Sequence, residues 1–423
     1  MPCRGSDMRQ LNLINRGERA LLRAAFSSIA TRYRAKWSRL IHRRAESSDQ
    51  PAAHSPDPIF LTTPSVGDRE FAQLVDSMTF GWAREPVRQF ESRFAQYLGV
   101  PHALATSSCT GALHLALRAF GIGAGDEVLV PESTCIATAS AVLLCGATPV
   151  FVDVDPMTWG ISPPSARAAI TDRTRAMIPV HVYGRVGDMP ELLALAKEKG
   201  LKVIEDAAAA TGTICDGKRA GTFGDAAVFS FHSTKLMTSA EGGMLVTADP
   251  VLFNRAFSLA HHGVKSDLQT APTEVGMNYK MSHLHAAIGL AQLGRIDELL
   301  ERKRRLFGWY ETRLRSFKGL RLDPDLARAR SNLWMVVVML EDDLAGRRDA
   351  VVQSLQLEKI YSAPFAVPLS SLPMFKSREA ANPVAFDLWR RGILLPCGFD
   401  LAESHVDRVC LSLRNALELP PVA

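Results

Sequence analysis

The 423-residue chain lacks several features that would decide its class at once. No apolar run approaches the roughly 20 residues that a membrane-spanning helix needs. No uninterrupted apolar core with a small-residue cleavage site follows the N-terminal charges, so a secretory signal is not expected. The seven cysteines (Cys3, Cys109, Cys135, Cys145, Cys215, Cys397, Cys410) are odd in number and form no CxxC. That pattern argues against both a zinc site and a disulfide framework, and for reduced thiols and a cytoplasmic location. The body of the chain also lacks a charge surplus. Residues 1–50 carry a net +7 against −2 for all the rest, so nothing in the body points to nucleic acid. No internal repeat is present.

The positive charge belongs to an N-terminal arm and linker, residues 1–57. Leu22, Phe26, Ile29, Tyr33, Trp37, Leu40 and Ile41 form a helical stripe, with basic residues around it between 19 and 44. The pattern is that of a basic amphipathic helix. Two readings stand: a loosely ordered extension, or attachment through residues 19–44 to an anionic membrane surface or a partner groove. The polar stretch SSDQPAAHSPDP follows as a linker.

Residues 58–300 read as a large α/β domain. Seven short β-rich runs are expected at Ala103–Thr106, Val128–Val130, Val150–Val154, Ala176–Val182, Lys202–Glu205, Ala226–Phe231 and Met244–Thr247. Helical segments such as Ala112–Phe120, Thr138–Cys145 and Glu191–Lys199 separate several of them. Strands alternating with helices predict a mainly parallel sheet covered on both faces, with ligands bound beyond the carboxyl ends of the strands. A long helical stretch over 282–315 and a strand-like run at Leu333–Leu340 lead into a smaller C-terminal α+β domain, residues 301–423.

Three segments carry candidate chemistry. In FSFHSTKLMTSAEGGMLVT (229–247) a β run ends in Ser-His, and Lys235 follows alone in a small, hydroxyl- and Gly-rich loop. Burial of a lysine disfavours the ammonium form and frees the amine to attack a carbonyl. A structural lysine is the competing reading. In LKVIEDAAAATG (201–212) a hydrophobic strand terminates in Glu205 and Asp206. A carboxylate there can pair with a cationic ring nitrogen, or cap the next turn. In ATSSCTGALHLALRAFG (105–121) a strand gives way to Ser107, Ser108, Cys109, Thr110 and Gly111 and then a helix. Its free amides and positive dipole end suit a phosphate, or simply an ordinary N-cap. In that order, phosphate cradle, strand-end carboxylate and amine meet the requirements of one cofactor, pyridoxal 5′-phosphate (PLP).

The chain resembles the DegT/DnrJ/EryC1/StrS family of sugar-nucleotide aminotransferases over about residues 58–415. The resemblance is carried by GWAREPVRQFESRFAQYLGV, GAGDEVLVPESTCIATASAVLLCGATPVFVDVD, PVHVYGRVGDM, IEDAAAATG, FSFHSTK, AEGGMLVT, GMNYKMSHLHAAIGLAQL and RRGILLPCG. It implies the fold type I architecture of PLP-dependent transferases. It further implies that Lys235 is the catalytic Schiff-base lysine and proton carrier, and that Asp206 partners the pyridine nitrogen. Thr110, Gly111 and Ser230 would hold the phosphate, and Asn278 would reach the phosphate of a neighbouring subunit, making the protein a homodimer with shared sites. Three departures stand out: Cys135 where relatives often stack an aromatic on the cofactor ring, Ala209 where they usually have Gln, and Lys280 in place of Arg. The implied reaction passes an amino group, from L-glutamate, to a keto sugar nucleotide. A PLP-dependent sugar dehydratase or lyase, and a non-catalytic scaffold docked through the arm, are the alternatives.

Overall fold

The interior positions of the central strands, such as Ala176, Met177, Val203, Ile204 and Val228, are apolar because both faces of the sheet are covered. The computed structural model describes residues 57–80, 85–265, 271–315, 317–322, 328–375 and 382–418. The arm at 1–56 lies outside the described residues. Strands β1 (His102–Thr106), β2 (Glu127–Pro131), β3 (Thr148–Val152), β4 (Thr174–Met177), β5 (Lys202–Asp206), β6 (Ala226–Ser230) and β7 (Gly243–Thr247) form one sheet in the order β1-β7-β6-β5-β4-β2-β3. All seven expected runs are therefore strands. The pairings among β6, β5, β4, β2 and β3 are parallel, and β7 runs antiparallel to both β1 and β6. The fourth run stops at Met177 rather than at Val182. Pro179 has no amide to donate beyond that point, and the chain touches β5 again only through a bridge from Val180 to Asp206.

Alternate residues feed two cores. Leu104, Val128, Val130, Ile204, Val228 and Leu245 face one side, where α3 (Cys109–Ala119), α4 (Ile136–Leu144) and α7 (Pro250–Ala260) pack. Ala103, Leu129, Val203, Ala227, Phe229 and Val246 face the other, under α2 (Glu85–Leu98), α6 (Met189–Lys199) and α8 (His283–Leu293). The helices α1 (Asp68–Phe80) and α5 (Pro163–Ala169) flank these layers. Phe94 meets Phe229 edge-on at 5.0 Å between ring centroids, and Phe90 lies 5.1 Å from Phe231. These rings anchor the end of β6 just before the loop that carries Lys235.

The single long helix expected over 282–315 is two helices, α8 and α9 (Ile296–Leu314), broken at Gly294–Arg295. Ser282 caps α8 by accepting the His285 amide at 3.2 Å, and Arg295 leaves helical geometry at φ −129°. Beyond α9 comes a four-stranded antiparallel sheet in the order β8-β9-β11-β10: β8 (Leu320–Leu322), β9 (Val336–Leu340), β10 (Ala363–Pro364) and β11 (Gly392–Leu395). Val351 and Leu355 of α10 (Arg348–Leu357) share a core with Val406, Val409 and Leu413 of α12 (Glu403–Glu418). The helix α11 (Pro383–Arg391) leads into β11. Strand β9 starts three residues later than its apolar run, because Leu333 adopts a left-handed turn (φ +51°) that turns the chain toward the first sheet.

Candidate active site

The carboxyl ends of β1, β2, β4, β5 and β6 all open on one edge of the large sheet, and polar residues gather there. Thr134 and Cys135 follow β2, Val182 and Tyr183 follow β4, Asp206 ends β5, and Lys235 follows β6. These residues, with Ala209, line a cavity of about 240 Å³. Trp334, just ahead of β9, and Ala366, just after β10, close it from the second sheet.

Lys235 reaches the cavity because its loop is tied down on both sides. The Phe231 amide donates to the Gly242 carbonyl at 3.0 Å, and the Ser239 amide donates to the Phe231 carbonyl at 2.8 Å. Phe231, Leu236 and Met237 are buried beneath it. The Lys235 Nζ lies 4.0 Å from the centroid of the Trp334 ring. Burial pushes the amine below the ordinary lysine range, and the nearby Cys109, Asp206 and Cys135 oppose that shift.

The two strand-end carboxylates have separate fates. Glu205 turns away from the cavity and is saturated. It accepts the amides of Gly221 (2.8 Å), Phe223 (2.6 Å) and Gly224 (2.7 Å), and the His181 Nε2 lies at 2.8 Å. Asp206, 5% exposed, turns into the cavity. The Thr138 hydroxyl donates to its Oδ2 at 2.8 Å, and the Ala208 amide donates to its Oδ1 at 3.1 Å. One oxygen thus does cap a turn, while the carboxylate as a whole is aimed at the cavity.

The cradle is the start of α3. Ser108 is the N-cap, and its hydroxyl accepts the Gly111 amide at 3.1 Å. Thus Gly111 is already served, whereas the amides of Cys109 and Thr110, first in the helix, have no carbonyl one turn earlier to bond. The Cys109 thiol is pushed well above its ordinary range by burial and by Asp206, with Lys235 opposing. The cradle is therefore within electrostatic reach of both. Ser230, at the end of β6, pairs across the sheet with Gly243, which in turn pairs with Thr106. A Cβ on Gly243 would lie 2.6 Å from the Cys109 amide nitrogen and 2.7 Å from the Ser108 carbonyl oxygen. Only glycine lets β7 lie against this turn. Gly243→Ala is expected to displace the helix start and weaken cofactor affinity about tenfold or more, read by equilibrium dialysis, with a smaller effect on melting temperature.

Of the predicted residues, Cys135, Asp206, Ala209 and Lys235 line the cavity, whereas Thr110, Gly111, Ser230 and Asn278 do not. Asn278 is the one set on a separate segment. It is exposed, bridged to His261, on the segment whose Tyr279 carbonyl accepts the Ser107 amide at 2.8 Å. Cys135 is exposed at the cavity as the N-cap of α4. Ala209 lines the cavity with its methyl, and its carbonyl accepts from the Asn332 side-chain amide at 2.9 Å.

Sequence reasoning missed Thr138, Trp334, Tyr183 and Asn332. Thr138 is 68 residues from the carboxylate it orients. Trp334 opens an apolar run that reads as plain strand, although a tryptophan before such a run is the one visible signal. The fully buried Asn332 fixes it: the Asn332 Oδ1 accepts the Trp334 amide at 3.0 Å, and its Nδ2 donates to the carbonyls of Ala209 and Thr211. Gly184 (φ +90°) makes room for it, since a Cβ there would fall 2.1 Å from Oδ1.

A fixed carboxylate and a lysine amine of lowered pKa lining one cavity, with uncommitted amides at a helix start within electrostatic reach of both, suit a ring nitrogen, an aldehyde and a phosphate. The likenesses to known proteins agree. The chain is 40% identical to the GDP-perosamine synthase of Caulobacter vibrioides over 364 residues, covering 85% of this chain and 98% of that protein. It is 35% identical to the spore coat polysaccharide biosynthesis protein SpsC of Bacillus subtilis, covering 84% and 96% of the two. A Streptococcus pneumoniae protein solved in its PLP form superposes with a TM-score of 0.81 at 26% identity, covering 86% and 99% of the two chains. Residues 64–414 match the DegT/DnrJ/EryC1/StrS aminotransferase family. The chain belongs to that family and is a PLP-dependent aminotransferase.

Proposed function

We propose that the enzyme transfers an amino group from L-glutamate to the ketone of a sugar nucleotide, in amino-sugar synthesis for a surface polysaccharide or a glycosylated metabolite. The observation that carries the reading is the Lys235 amine, held in a walled cavity together with a carboxylate, Asp206, that makes no ion pair within 4.0 Å among the described residues. The acceptor class is supported by relatives named for perosamine and coat polysaccharide synthesis.

PLP supplies an aldehyde and an electron-withdrawing ring. In this reading Lys235 would hold the aldehyde carbon, and its free amine would serve as the group that carries a proton at the substrate carbon. Its depressed pKa makes a free amine available at lower pH than on a solvated lysine. Asp206 would pair with the ring nitrogen and favour its protonated form, while Thr138 and Ala208 fix the carboxylate's direction. The amides of Cys109 and Thr110, with Gly111 at the same turn and the Ser230 hydroxyl, hold the phosphate. Cys135 and Ala209 leave the cavity wall low where larger side chains would crowd an acceptor. Residues 58–300 act as the cofactor-binding domain and 301–423 as the smaller domain that closes the cavity with Trp334. Asn278, exposed and away from its own cavity, serves the phosphate of a second subunit, so the working form is a homodimer. No helix among the described residues is long and apolar enough to cross a membrane, and we place the enzyme in the cytoplasm.

Incubating the PLP-loaded enzyme with glutamate and a panel of keto sugar nucleotides tests this. The expected product is an amino sugar nucleotide identified by mass, formed in step with 2-oxoglutarate. A deoxygenated sugar without amine transfer would select a dehydratase, and a protein that takes up no PLP would select a scaffold.

A further inference from the structure

Lys303 is a buried cation that the reaction does not use. It projects from the third turn of α9, is 3% exposed, and among the described residues no carboxylate pairs with it. An ammonium in such a place is costly unless its hydrogen bonds are filled, and an apolar residue would fill the volume at less cost. Its partners are two main-chain oxygens, the Cys397 thiol and the face of the Phe399 ring, whose centroid lies 4.8 Å from the Nζ. The Nζ donates to the Trp334 carbonyl at 3.1 Å and to the Cys397 carbonyl. The Cys397 thiol lies 3.3 Å from the same Trp334 oxygen, and the Cys397 amide donates to the Leu61 carbonyl at 2.8 Å. Two turns along α9, the Tyr310 hydroxyl donates to the Pro396 carbonyl at 2.8 Å. The helix thus grips the end of β11 and, through Lys303, the carbonyl of Trp334, with Arg304 holding the Ser331 carbonyl three residues earlier at 3.2 Å.

That peptide is the one whose side chain covers the reacting amine. Trp334 follows a residue in the left-handed region, Leu333. Its indole Nε1–H donates to the Thr234 carbonyl at 2.7 Å, next to Lys235 itself. The ring face is left toward the Lys235 Nζ. Asn332 holds the Trp334 amide from one side, and Lys303 holds the carbonyl from the other.

We propose that Lys303 is a positioning residue for the transamination, which pins the Trp334 peptide so that the indole face stays over the Lys235 nitrogen and favours its protonated form. The proposal rests on the reading of Lys235 as the reacting amine. Asp206, Cys109 and Cys135 also face that nitrogen and remain in place in the variants below.

The test is the pH titration of the visible absorbance of bound cofactor in the holoenzyme, together with kcat and KM for the amino donor. An aromatic face stabilises a nearby cation, so losing it lowers the midpoint. Trp334→Leu is expected to move it down by about half a pH unit. Lys303→Met should reproduce most of that shift, Lys303→Arg should restore the midpoint, and the double variant should shift no further than Trp334→Leu alone. Should Lys303→Met fail to fold, Cys397→Ala removes the second group at the Trp334 oxygen and should give a smaller shift in the same direction. A lower melting temperature with an unmoved midpoint, or additive shifts in the double variant, overturns the proposal. A titration that persists in Lys235→Ala refutes the amine assignment itself and takes the proposal with it.

Discussion

Lys235→Ala is expected to reduce turnover to background while the protein stays folded and still takes up PLP. Proton transfer by a positioned group alone is worth about 10²–10⁴ in rate, and the covalent link to the cofactor is lost with it. Lys235→Arg should be equally inactive, because a guanidinium keeps its charge and does not become a nucleophile. Folding should survive both changes. The Lys235 side chain lines a cavity, and the loop is held by main-chain bonds at Phe231, Gly242 and Ser239 and by the apolar anchors Leu236 and Met237. The depressed amine adds a pH signature with a definite sign. A lowered pKa means that the unprotonated form appears at lower pH than on an exposed lysine. In the cofactor-free enzyme, the rate of Lys235 modification by a small electrophile should therefore rise at lower pH than that of a free lysine model compound. Peptide mapping isolates the site. A Lys235→Ala enzyme that keeps more than about one per cent of wild-type kcat would contradict the assignment.

The large sheet was legible because its strands are buried on both faces. Runs such as Val128–Val130 and Ala226–Phe231 carry almost no polar residue, and the turn residues around them mark the ends. Legibility failed where an apolar pattern outlived its element. Val180 and Val182 continue the β4 pattern, yet they are apolar because they line the cavity. The break at Gly294–Arg295 lies inside a pattern whose periodicity persists on both sides, since Leu293, Ile296 and Leu299 pack on the same core. Gly294 itself keeps near-helical angles, which leaves little local signal.

At the site, the residues that need one particular chemical group could be read from the chain, and those that orient them could not. A lone lysine after a strand and an acidic strand end are local patterns. Which of Glu205 and Asp206 faces the cavity depends on the Gly221–Gly224 turn, whose amides claim Glu205. Trp334 and Asn332 come from the second sheet, about a hundred residues past Lys235, and no periodicity ties them to it. The expected strand-to-helix turn is present, but the Gly111 amide expected to serve a phosphate is bonded to Ser108, so Cys109 and Thr110 have the freer amides. The arm is a compositional reading only, since residues 1–56 lie outside the described residues.

Asp206→Asn is expected to cost nearly as much as losing the lysine, for a different reason. The amide is the same size, keeps an oxygen for the Thr138 hydroxyl or the Ala208 amide, and leaves the strand end in place. What disappears is the negative charge beside the ring nitrogen. Two unit charges about 4 Å apart attract by about 4 kcal/mol at an effective dielectric near 20, which holds a protonated ring nitrogen up by as much as roughly three pKa units. Without that charge the ring is a weak electron sink, so kcat for the half-reaction with the amino donor should fall by up to about 10³-fold. Substrate affinity should change far less, because Asp206 is aimed at the cofactor position. Thr138→Val provides the graded control. It removes one hydrogen bond to the carboxylate but not the charge, a loss of about 1 kcal/mol, or roughly fivefold in kcat. The comparison separates charge from orientation: a Thr138→Val effect as large as that of Asp206→Asn would mean that direction dominates. An Asp206→Asn enzyme within about threefold of wild type would mean that the ring nitrogen is not held by this carboxylate at all.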